Sequence, residues 1–249
     1  MMRKTVELLR QGLASHNLQI RRLPAPLIRH REAELRPKLA HVIAHHLVQH
    51  QPADFFFIQV GAFDGLTNDP LHDFIVRFKW RGILLEPQKD AFAALLDNYR
   101  EQPQLILRNA AIAPECGIRH LHKIRGDAPG LPPWASQIAS FRRDTVLAHR
   151  DVIPAIDDLI ETEEVECITF DSLFDAFPPR AIDLLQIDAE GNDFEIIKLF
   201  HQGGRRAHIV HFEHKHLSRR ELADCAGFLI ERGYVVGLDG GDSIAYLNP

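Results

Sequence analysis

The chain has 249 residues, of which 45% are hydrophobic and 25% are charged, and this composition is typical of a soluble globular protein. No apolar run approaches the roughly 20 residues needed to span a bilayer, and the first residues lack the apolar block of a secretory signal peptide. The cysteines are Cys116, Cys167 and Cys225, whose odd number and wide spacing argue against a disulfide framework or a structural zinc site. A reducing, cytoplasmic location is therefore predicted.

Charge is distributed unevenly along the chain. Residues 1–50 contain nine Lys or Arg and three Glu, which gives a net charge of about +6. The whole chain carries −5, which leaves about −11 for the remainder. An acidic body of this kind argues against a nucleic-acid partner, because the phosphate backbone is itself anionic.

The basic first 50 residues are predicted to form an N-terminal helical extension that packs on the main domain. Apolar residues recur at helical spacing over 3–15 and over 34–50. Two histidine pairs in the second helix have the i, i+4 spacing of metal ligands. No acidic or cysteine partner accompanies them, so packing or surface positions are expected for His41/His45 and His46/His50.

The remaining residues, 51–249, alternate between strand and helix patterns and are predicted to form one domain. Seven strands are expected, at 55–60, 82–86, 105–107, 182–187, 208–212, 234–238 and 243–247. Helices are expected between them, at about 67–78, 91–99, 194–200 and 218–232. This order predicts an α/β fold with a Rossmann-like, doubly wound, mostly parallel sheet, which binds ligands at the carboxyl ends of its strands.

Residues 113–165 interrupt this alternation and are predicted to form an insert on the substrate side of the domain. A strand is expected near 119–123 and a helix near 142–150. The acidic run at 161–166 is expected to be solvated.

The first predicted strand ends at a turn of small residues. Residues 55–60 form a continuous apolar run, and Gly61 and Gly65 follow it before the next helical segment. Units of strand, turn and helix hold nucleotide-like ligands against the helix N-terminus. The GxxxG spacing fits a dinucleotide pyrophosphate poorly, because that ligand favours GxGxxG. A purely structural turn is an equal alternative at this point.

An acidic residue ends the second predicted strand. Glu86 lies about 20 residues after the glycine turn, where a carboxylate can bind both hydroxyls of a ribose. Pro87 suits the start of the following helix. NAD and S-adenosylmethionine both contain such a ribose, so Glu86 alone does not choose between them.

Polar residues also follow the fourth and fifth main strands. Asp188 comes directly after one of these strands, and Glu213 and His214 come directly after the other. If the two strands are neighbours, these side chains meet at one edge of the sheet, where they could bind a divalent cation or act as an acid–base pair. Three nearby residues are given structural or surface roles instead: Asp193, His211 and His216.

With these clusters in this order, the chain resembles the FkbM family of S-adenosylmethionine-dependent methyltransferases. The resemblance is dense from about residue 54 to residue 247 and rests on several short motifs, which together are more specific than a glycine turn. Phe63 departs from the Asn that family members often have at this position. The motifs occupy residues 59–65, 67–71, 85–87, 108–112, 134–141, 187–191 and 213–217.

This resemblance implies the class I methyltransferase fold and a site for S-adenosylmethionine. Gly61, Ala62, Asp64 and Gly65 would then surround the methionine part of the cofactor, and Glu86 would bind its ribose. The usual reaction would be O-methylation of a hydroxyl group on a sugar, glycan or related natural product. The other implied cofactor contacts are Asn109 near the adenine, Ser140 closing over it, and Asp188 in the acidic motif.

Methyl transfer to an alcohol needs the acceptor's proton to be removed or its pKa to be lowered. The sulfonium group is already activated, so alignment supplies most of the remaining acceleration. Asp188, Glu213 and His214 are predicted to act on the acceptor hydroxyl. A metal-free general base and a Mg²⁺ bound by the same three residues are both open alternatives.

Two other functions are compatible with this fold. An NAD(P)-dependent oxidoreductase would use the same ribose acid, but the GxxxG spacing and the lack of a Tyr-x-x-x-Lys pair argue against it. A non-catalytic ligand-binding protein would have no need for several acids beside buried strands, where unpartnered charges are costly.

Overall fold

A computed structural model describes residues 38–49, 54–126, 130–132, 134–153 and 155–247. The predicted helix at 3–15, residues 34–37 and the boundary at residue 50 lie outside these ranges. The helices are α1 (Leu39–Gln49), α2 (His72–Phe78), α3 (Lys89–Asn98), α4 (Arg143–Leu147), α5 (Ile156–Leu159), α6 (Phe170–Ala176), α7 (Asp193–His201) and α8 (Arg219–Ile230). The strands are β1 (Phe56–Val60), β2 (Arg81–Leu85), β3 (Leu105–Arg108), β4 (Ala111–Ile112), β5 (Gly117–Ile124), β6 (Ala139–Ser140), β7 (Ile160–Ile168), β8 (Leu184–Ile187), β9 (Ile209–Glu213), β10 (Tyr234–Asp239) and β11 (Asp242–Leu247).

The central sheet has seven strands in the order β10-β11-β9-β8-β1-β2-β3. The five strands from β9 to β3 pair in parallel, whereas β11 is antiparallel to both of its neighbours. The expected Rossmann-like, mostly parallel sheet is therefore confirmed. The chain reverses its direction of winding between β1 and β8, so the carboxyl ends of β1, β2, β8 and β9 flank the switch point where such sheets bind ligands.

The parallel strands are buried because helices cover both faces of the sheet. Successive residues of a strand point to opposite faces, and the core divides accordingly. Ile58 belongs to a cluster on one face, together with Leu85 and Ile187. Phe57 belongs to a second cluster on the other face, where Trp80 also packs.

Helix α1 packs on the second of these clusters. Its Ile43 is fully buried there, and His46 Nε2 lies 2.7 Å from Asp183 Oδ1. The other oxygen of Asp183 accepts a hydrogen bond of 2.8 Å from the backbone N–H of Phe56. His46 is thus a packing residue, as expected, and it links α1 to the start of β1.

A second, four-stranded sheet was not predicted and has the order β4-β7-β5-β6. Its longest strand, β7, includes the acidic run that we expected to be solvated. In β7, Val165 and Cys167 are buried, and the side chain of Glu163 is 12% exposed and lies 2.8 Å from Lys123 Nζ. The expectation is confirmed for Glu161, Glu164 and Glu166, which are exposed. Glu163 is the exception, because alternate residues of a strand can face inward.

Two helices differ from the sequence expectation. The helix expected from residue 67 begins at His72, because the side chain of Asp64 accepts hydrogen bonds from the backbone N–H groups of Leu66 and Thr67 and holds a turn there. Helix α6 was not predicted, although Thr169 and Ser172 form a capping box at its start. Across the described ranges, no helix combines the length and apolar character required to cross a membrane.

Candidate active site

A cavity lies at the carboxyl ends of β1, β2 and β8. It encloses about 990 Å³ that protein atoms do not fill, including open solvent at its mouth. The turn after β1 forms one wall with Gly61 and Ala62, and Glu86 and Asp188 contribute from the ends of the neighbouring strands. The short strand β6 closes another side with Ser140. Five of the predicted cofactor-binding residues therefore line one space.

The turn after β1 approaches the end of β8 so closely that only glycine fits at its first position. Gly61 has a φ of 79°, and a Cβ atom there would clash with the carbonyl oxygen of Asp188. The N–H groups of Gly61 and Ala62 both donate to the carbonyl of Leu85, at 2.9 and 3.0 Å. The turn is therefore fixed to both neighbouring strands, and its backbone forms the floor of the cavity.

Glu86 holds the same turn from the side of β2. Its side chain is buried. One carboxylate oxygen accepts a hydrogen bond of 2.8 Å from Phe63 N–H, and the other accepts one of 2.8 Å from Gln88 N–H. Burial raises the pKa of Glu86 to about 7 despite these bonds. Each oxygen retains a lone pair that a ligand hydroxyl could use.

Phe63 sits in this turn with a φ of 48°, in the left-handed region that side chains other than Asn, Asp and Gly rarely adopt. Its half-buried side chain lines the cavity. A short polar residue such as Asn tolerates this conformation better.

Three of the predicted cofactor-binding residues do not line the cavity. Asp64 accepts hydrogen bonds from the turn that follows it, and Gly65 packs against Tyr99. The side-chain amide of Asn109 donates to the carbonyl oxygens of Glu86 and Pro87, at 2.8 and 3.0 Å. All three shape the loops around the cavity, and their predicted contact with the cofactor remains a prediction.

Three carboxylates meet beside the turn: Asp188, Glu190 and Glu213. Their ligand oxygens all lie within 4.8 Å of one another, because β8 and β9 are adjacent parallel strands. Burial raises the pKa of Asp188 well above its usual value, and the charges of Glu213 and Glu190 raise it further. Asp188 is itself exposed, and it lines the cavity.

Asp193 lies just behind this group and begins α7. It is fully buried and accepts hydrogen bonds from the N–H groups of Ala189 and Gly191, at 3.4 and 3.2 Å. Burial, followed by the charge of Glu213, raises its pKa to about 7. Its structural role at the helix start agrees with the sequence expectation.

The histidine beside the carboxylates is His216, whereas His214 points elsewhere. His214 Nδ1 lies 2.9 Å from Ser243 Oγ, and His214 is not part of any group of three close metal-ligand residues within the described ranges. His216 Nε2 lies 2.8 Å from Glu190 Oε2 and 3.4 Å from Glu213 Oε2. The expectation that His216 is a surface residue was wrong, because the chain turns back over the cavity after β9.

Lys215 is a site residue that sequence reasoning missed. It lines the cavity and forms an ion pair with Glu213. Burial disfavours its charge, but Glu213 and Glu190 outweigh this effect and raise its pKa. Its sequence position between two histidines gave no periodic signal, because it lies in a loop.

Ser140 connects the second sheet to the acidic group. Its hydroxyl donates a hydrogen bond of 3.1 Å to the backbone carbonyl of Glu190. Glu190 itself has a φ of 46°, so this bond supports a strained turn. The insert therefore forms one wall of the site.

Comparison with known proteins identifies the family of the chain. The sequence profile of the methyltransferase FkbM domain matches residues 59–236, which include the whole cavity lining. A search of curated proteins finds no match.

Similar solved structures include three methyltransferases. A methyltransferase FkbM from Methylobacillus flagellatus is 12% identical over 78% of this chain and 44% of that chain, with a TM-score of 0.47. A precorrin-6y C5,15-methyltransferase from Geobacter metallireducens is 12% identical over 83% of this chain and 87% of that chain, with a TM-score of 0.41. An O-methyltransferase from Bacillus cereus in complex with SAH is 13% identical over 98% of this chain and 91% of that chain, with a TM-score of 0.40.

The chain spans less than half the length of the Methylobacillus flagellatus protein. The assignment of this chain to a family rests on the sequence profile. The profile covers more than half of the chain, and the fold is the class I methyltransferase fold. The chain therefore belongs to the FkbM family of methyltransferases.

Proposed function

We propose that this protein is an S-adenosylmethionine-dependent O-methyltransferase whose acceptor is a hydroxyl of a sugar, glycan or related natural product. Membership of a methyltransferase family supports use of this methyl donor and disfavours the oxidoreductase alternative. The observation that carries the proposal is the convergence of Gly61, Glu86 and Asp188 on one cavity.

The cavity has the chemistry that the cofactor requires. The turn at Gly61 and Ala62 lines the cavity, so its backbone can contact the methionine part. The Glu86 carboxylate, already positioned by two backbone N–H groups, can accept hydrogen bonds from the ribose hydroxyls. When bound, the sulfonium group of the cofactor supplies an activated methyl group.

The acidic group is proposed to handle the acceptor proton. Asp188 faces the cavity, and its raised pKa brings the carboxylate closer to the basicity that a general base needs near neutral pH. Lys215, which pairs with Glu213, keeps compensating positive charge next to the group. Asp188 would take the proton from the acceptor oxygen. The negative charge of Glu213 would make Asp188 more basic by raising its pKa. His214, which the sequence predicted to act on the acceptor hydroxyl, is not assigned that role here, because its Nδ1 lies beside Ser243.

A divalent cation is the second way to lower the pKa of the acceptor. The oxygens of Asp188, Glu190 and Glu213 fit a hard cation such as Mg²⁺, which prefers oxygen ligands. A bound Mg²⁺ would polarise the acceptor hydroxyl. Lys215 already forms an ion pair with Glu213, one of the three acids that Mg²⁺ would need, and this pairing favours the metal-free base. Turnover in EDTA, compared with turnover in Mg²⁺, distinguishes the two mechanisms.

Cofactor binding is tested by titrating the full-length protein with S-adenosylhomocysteine and, separately, with NAD. S-adenosylhomocysteine should bind and NAD should not. Glu86→Ala should weaken binding by about tenfold or more, since a hydrogen bond to a charged group contributes about 1.5–3 kcal/mol. Glu231→Ala, which removes an exposed acid outside the cavity, is the matched control. Binding of NAD alone would revive the oxidoreductase, and binding of neither would favour the ligand-binding alternative.

Catalysis is tested with labelled S-adenosylmethionine and a panel of sugars and other alcohols. Asp188→Asn should lower turnover by about 100-fold or more while cofactor binding persists. Asp97→Asn, at an exposed position on α3, should leave turnover unchanged. Full turnover by Asp188→Asn would contradict the proposed base.

A further inference from the structure

We propose that His149, Glu190 and His216 form a binding site for a zinc-type transition-metal cation, which lies at the cavity and shares Glu190 with the all-carboxylate group. One ligand atom from each residue lies within 4.8 Å of the other two. The inference goes beyond the proposed methyl transfer, because it concerns metal binding and is tested without measuring activity.

The three residues come from three separate segments of the chain. His149 follows α4 in the insert, Glu190 lies in the turn after β8, and His216 lies in the turn after β9. The rings of His149 and His216 are arranged edge to face, with centroids 5.6 Å apart and an interplanar angle of 61°. Because no local spacing brings these residues together, only the tertiary structure reveals the group.

The donor atoms are buried, and one of them lacks a partner within the protein. His149 Nε2 has no hydrogen-bond partner in the described residues. His216 Nε2 and Glu190 Oε2 are 2.8 Å apart and form an ion pair when His216 is protonated. A buried polar atom without a partner destabilises the folded state. A cation coordinated by all three residues would give His149 Nε2 a partner.

The local charge also favours a cation. Asp188 and Glu213 lie beside Glu190, and Asp193 lies behind them. Two cationic side chains, Lys215 and His216, face these four carboxyl groups. The carboxyl groups therefore outnumber the cationic side chains, so an added divalent ion would have more acidic than basic neighbours.

The donor set selects the kind of metal. Two imidazole nitrogens and one carboxylate suit Zn²⁺ and related ions, which often keep a fourth position open for water or a ligand. Mg²⁺ prefers oxygen donors and would choose the carboxylate group instead. A zinc-type ion would also tie the insert, through His149, to the two loops that carry Glu190 and His216.

The test is metal binding by the tag-free, full-length protein after treatment with a chelator. Equilibrium dialysis against Zn²⁺ and the visible absorption spectrum of added Co²⁺ should both report a bound ion in the wild type. His149→Ala and His216→Ala should each weaken Zn²⁺ binding by about tenfold or more and alter the Co²⁺ spectrum. His120→Ala, which removes a 66% exposed histidine on β5, is the matched control and should bind as the wild type does.

Circular dichroism and thermal unfolding in EDTA establish that each variant is folded. If His149→Ala is unfolded, His149→Gln replaces it. Unchanged Zn²⁺ binding by the folded His149 variant would overturn the proposal. The same conclusion follows if the folded wild type binds no Zn²⁺, or if Asp188→Asn abolishes binding while the His149 variant retains it, because the ion would then occupy the carboxylate group.

Discussion

Phe63 has a backbone conformation that is unfavourable for its bulky side chain. Its φ of 48° is unfavourable for a bulky side chain by about 1–2 kcal/mol. Asn tolerates this region, whereas Ala does not relieve the strain. Phe63→Asn and Phe63→Ala lose the same ring, so a comparison between them isolates the backbone effect.

We expect Phe63→Asn to be more stable than Phe63→Ala by about 1 kcal/mol, because only Asn suits the left-handed conformation. Urea denaturation of both variants measures the difference. Equal free energies of unfolding would mean that the strain at this position is not significant. Leu66→Asn and Leu66→Ala, at an exposed position nearby, provide the corresponding control pair.

Among the elements, the turn between β1 and α2 depends on one glycine. A side chain at Gly61 would collide with the backbone of Asp188, and backbone cannot move aside as a flexible side chain can. Gly61→Ala should therefore lower the free energy of unfolding by about 3 kcal/mol or more and abolish binding of S-adenosylhomocysteine.

Gly240 provides the control for this substitution. It also has a positive φ, of 67°, but a Cβ there would meet nothing within 4 Å. Gly240→Ala should cost only the conformational term of about 1 kcal/mol and leave cofactor binding unchanged. Chemical denaturation and ligand titration of both variants test this, and similar losses for the two would contradict the proposed clash.

The second sheet is held to the central domain partly by Lys123 of β5. Its side chain is 10% exposed and lies 2.8 Å from Glu163 Oε2 and 3.3 Å from Asp90 Oδ2. Lys123→Ala would leave Glu163 buried without its principal cation. We expect a loss of about 2–4 kcal/mol, since breaking a buried ion pair strands the other charge.

Lys89→Ala is the matched control, because Lys89 is 64% exposed and lies 3.8 Å from the same Glu163. An exposed pair of this kind contributes at most about 1 kcal/mol. The two variants are compared by urea denaturation. A loss for Lys123→Ala no larger than that for Lys89→Ala would show that the buried pair does not stabilise the second sheet.

At the scale of the whole molecule, stability should depend on pH through the buried acids of the site. Native Glu86 keeps its proton up to a pKa of about 7, whereas its ordinary value is 4.5. The native state therefore binds more protons than the unfolded state between these values. The contribution of Glu86 to stability is present below about pH 4.5 and is lost as the pH rises to about 7.

Glu86→Gln should remove this dependence. Its free energy of unfolding should fall less steeply than that of the wild type between pH 5 and pH 7, by roughly 2 kcal/mol over the interval. Denaturation at several pH values measures the slopes. Asp97→Asn, at a 74% exposed position, should follow the wild-type curve, and parallel curves for Glu86→Gln and wild type would contradict the raised pKa.

Much of the fold could be predicted from local patterns. Apolar runs such as 55–60 and the helical spacing after them correctly located all seven strands of the central sheet, because a buried parallel strand requires continuous apolar sequence. The second sheet was missed because β7 is rich in glutamate. Its inward-facing Glu163 depends on a lysine from another strand, and no local pattern contains that information.

Motif order and hydrophobic periodicity are local properties of the chain, so they were enough to predict the family, the central sheet and the chemical character of the strand ends. These patterns also placed Glu86, Asp188 and Glu213 at the ends of their strands. Local patterns could not predict which side chains meet. β8 and β9 pair, the loop after β9 turns His216 rather than His214 toward Glu190, and the insert brings His149 to the same place. Loop conformation depends on backbone contacts with distant segments, and such contacts leave no periodic signal in the sequence.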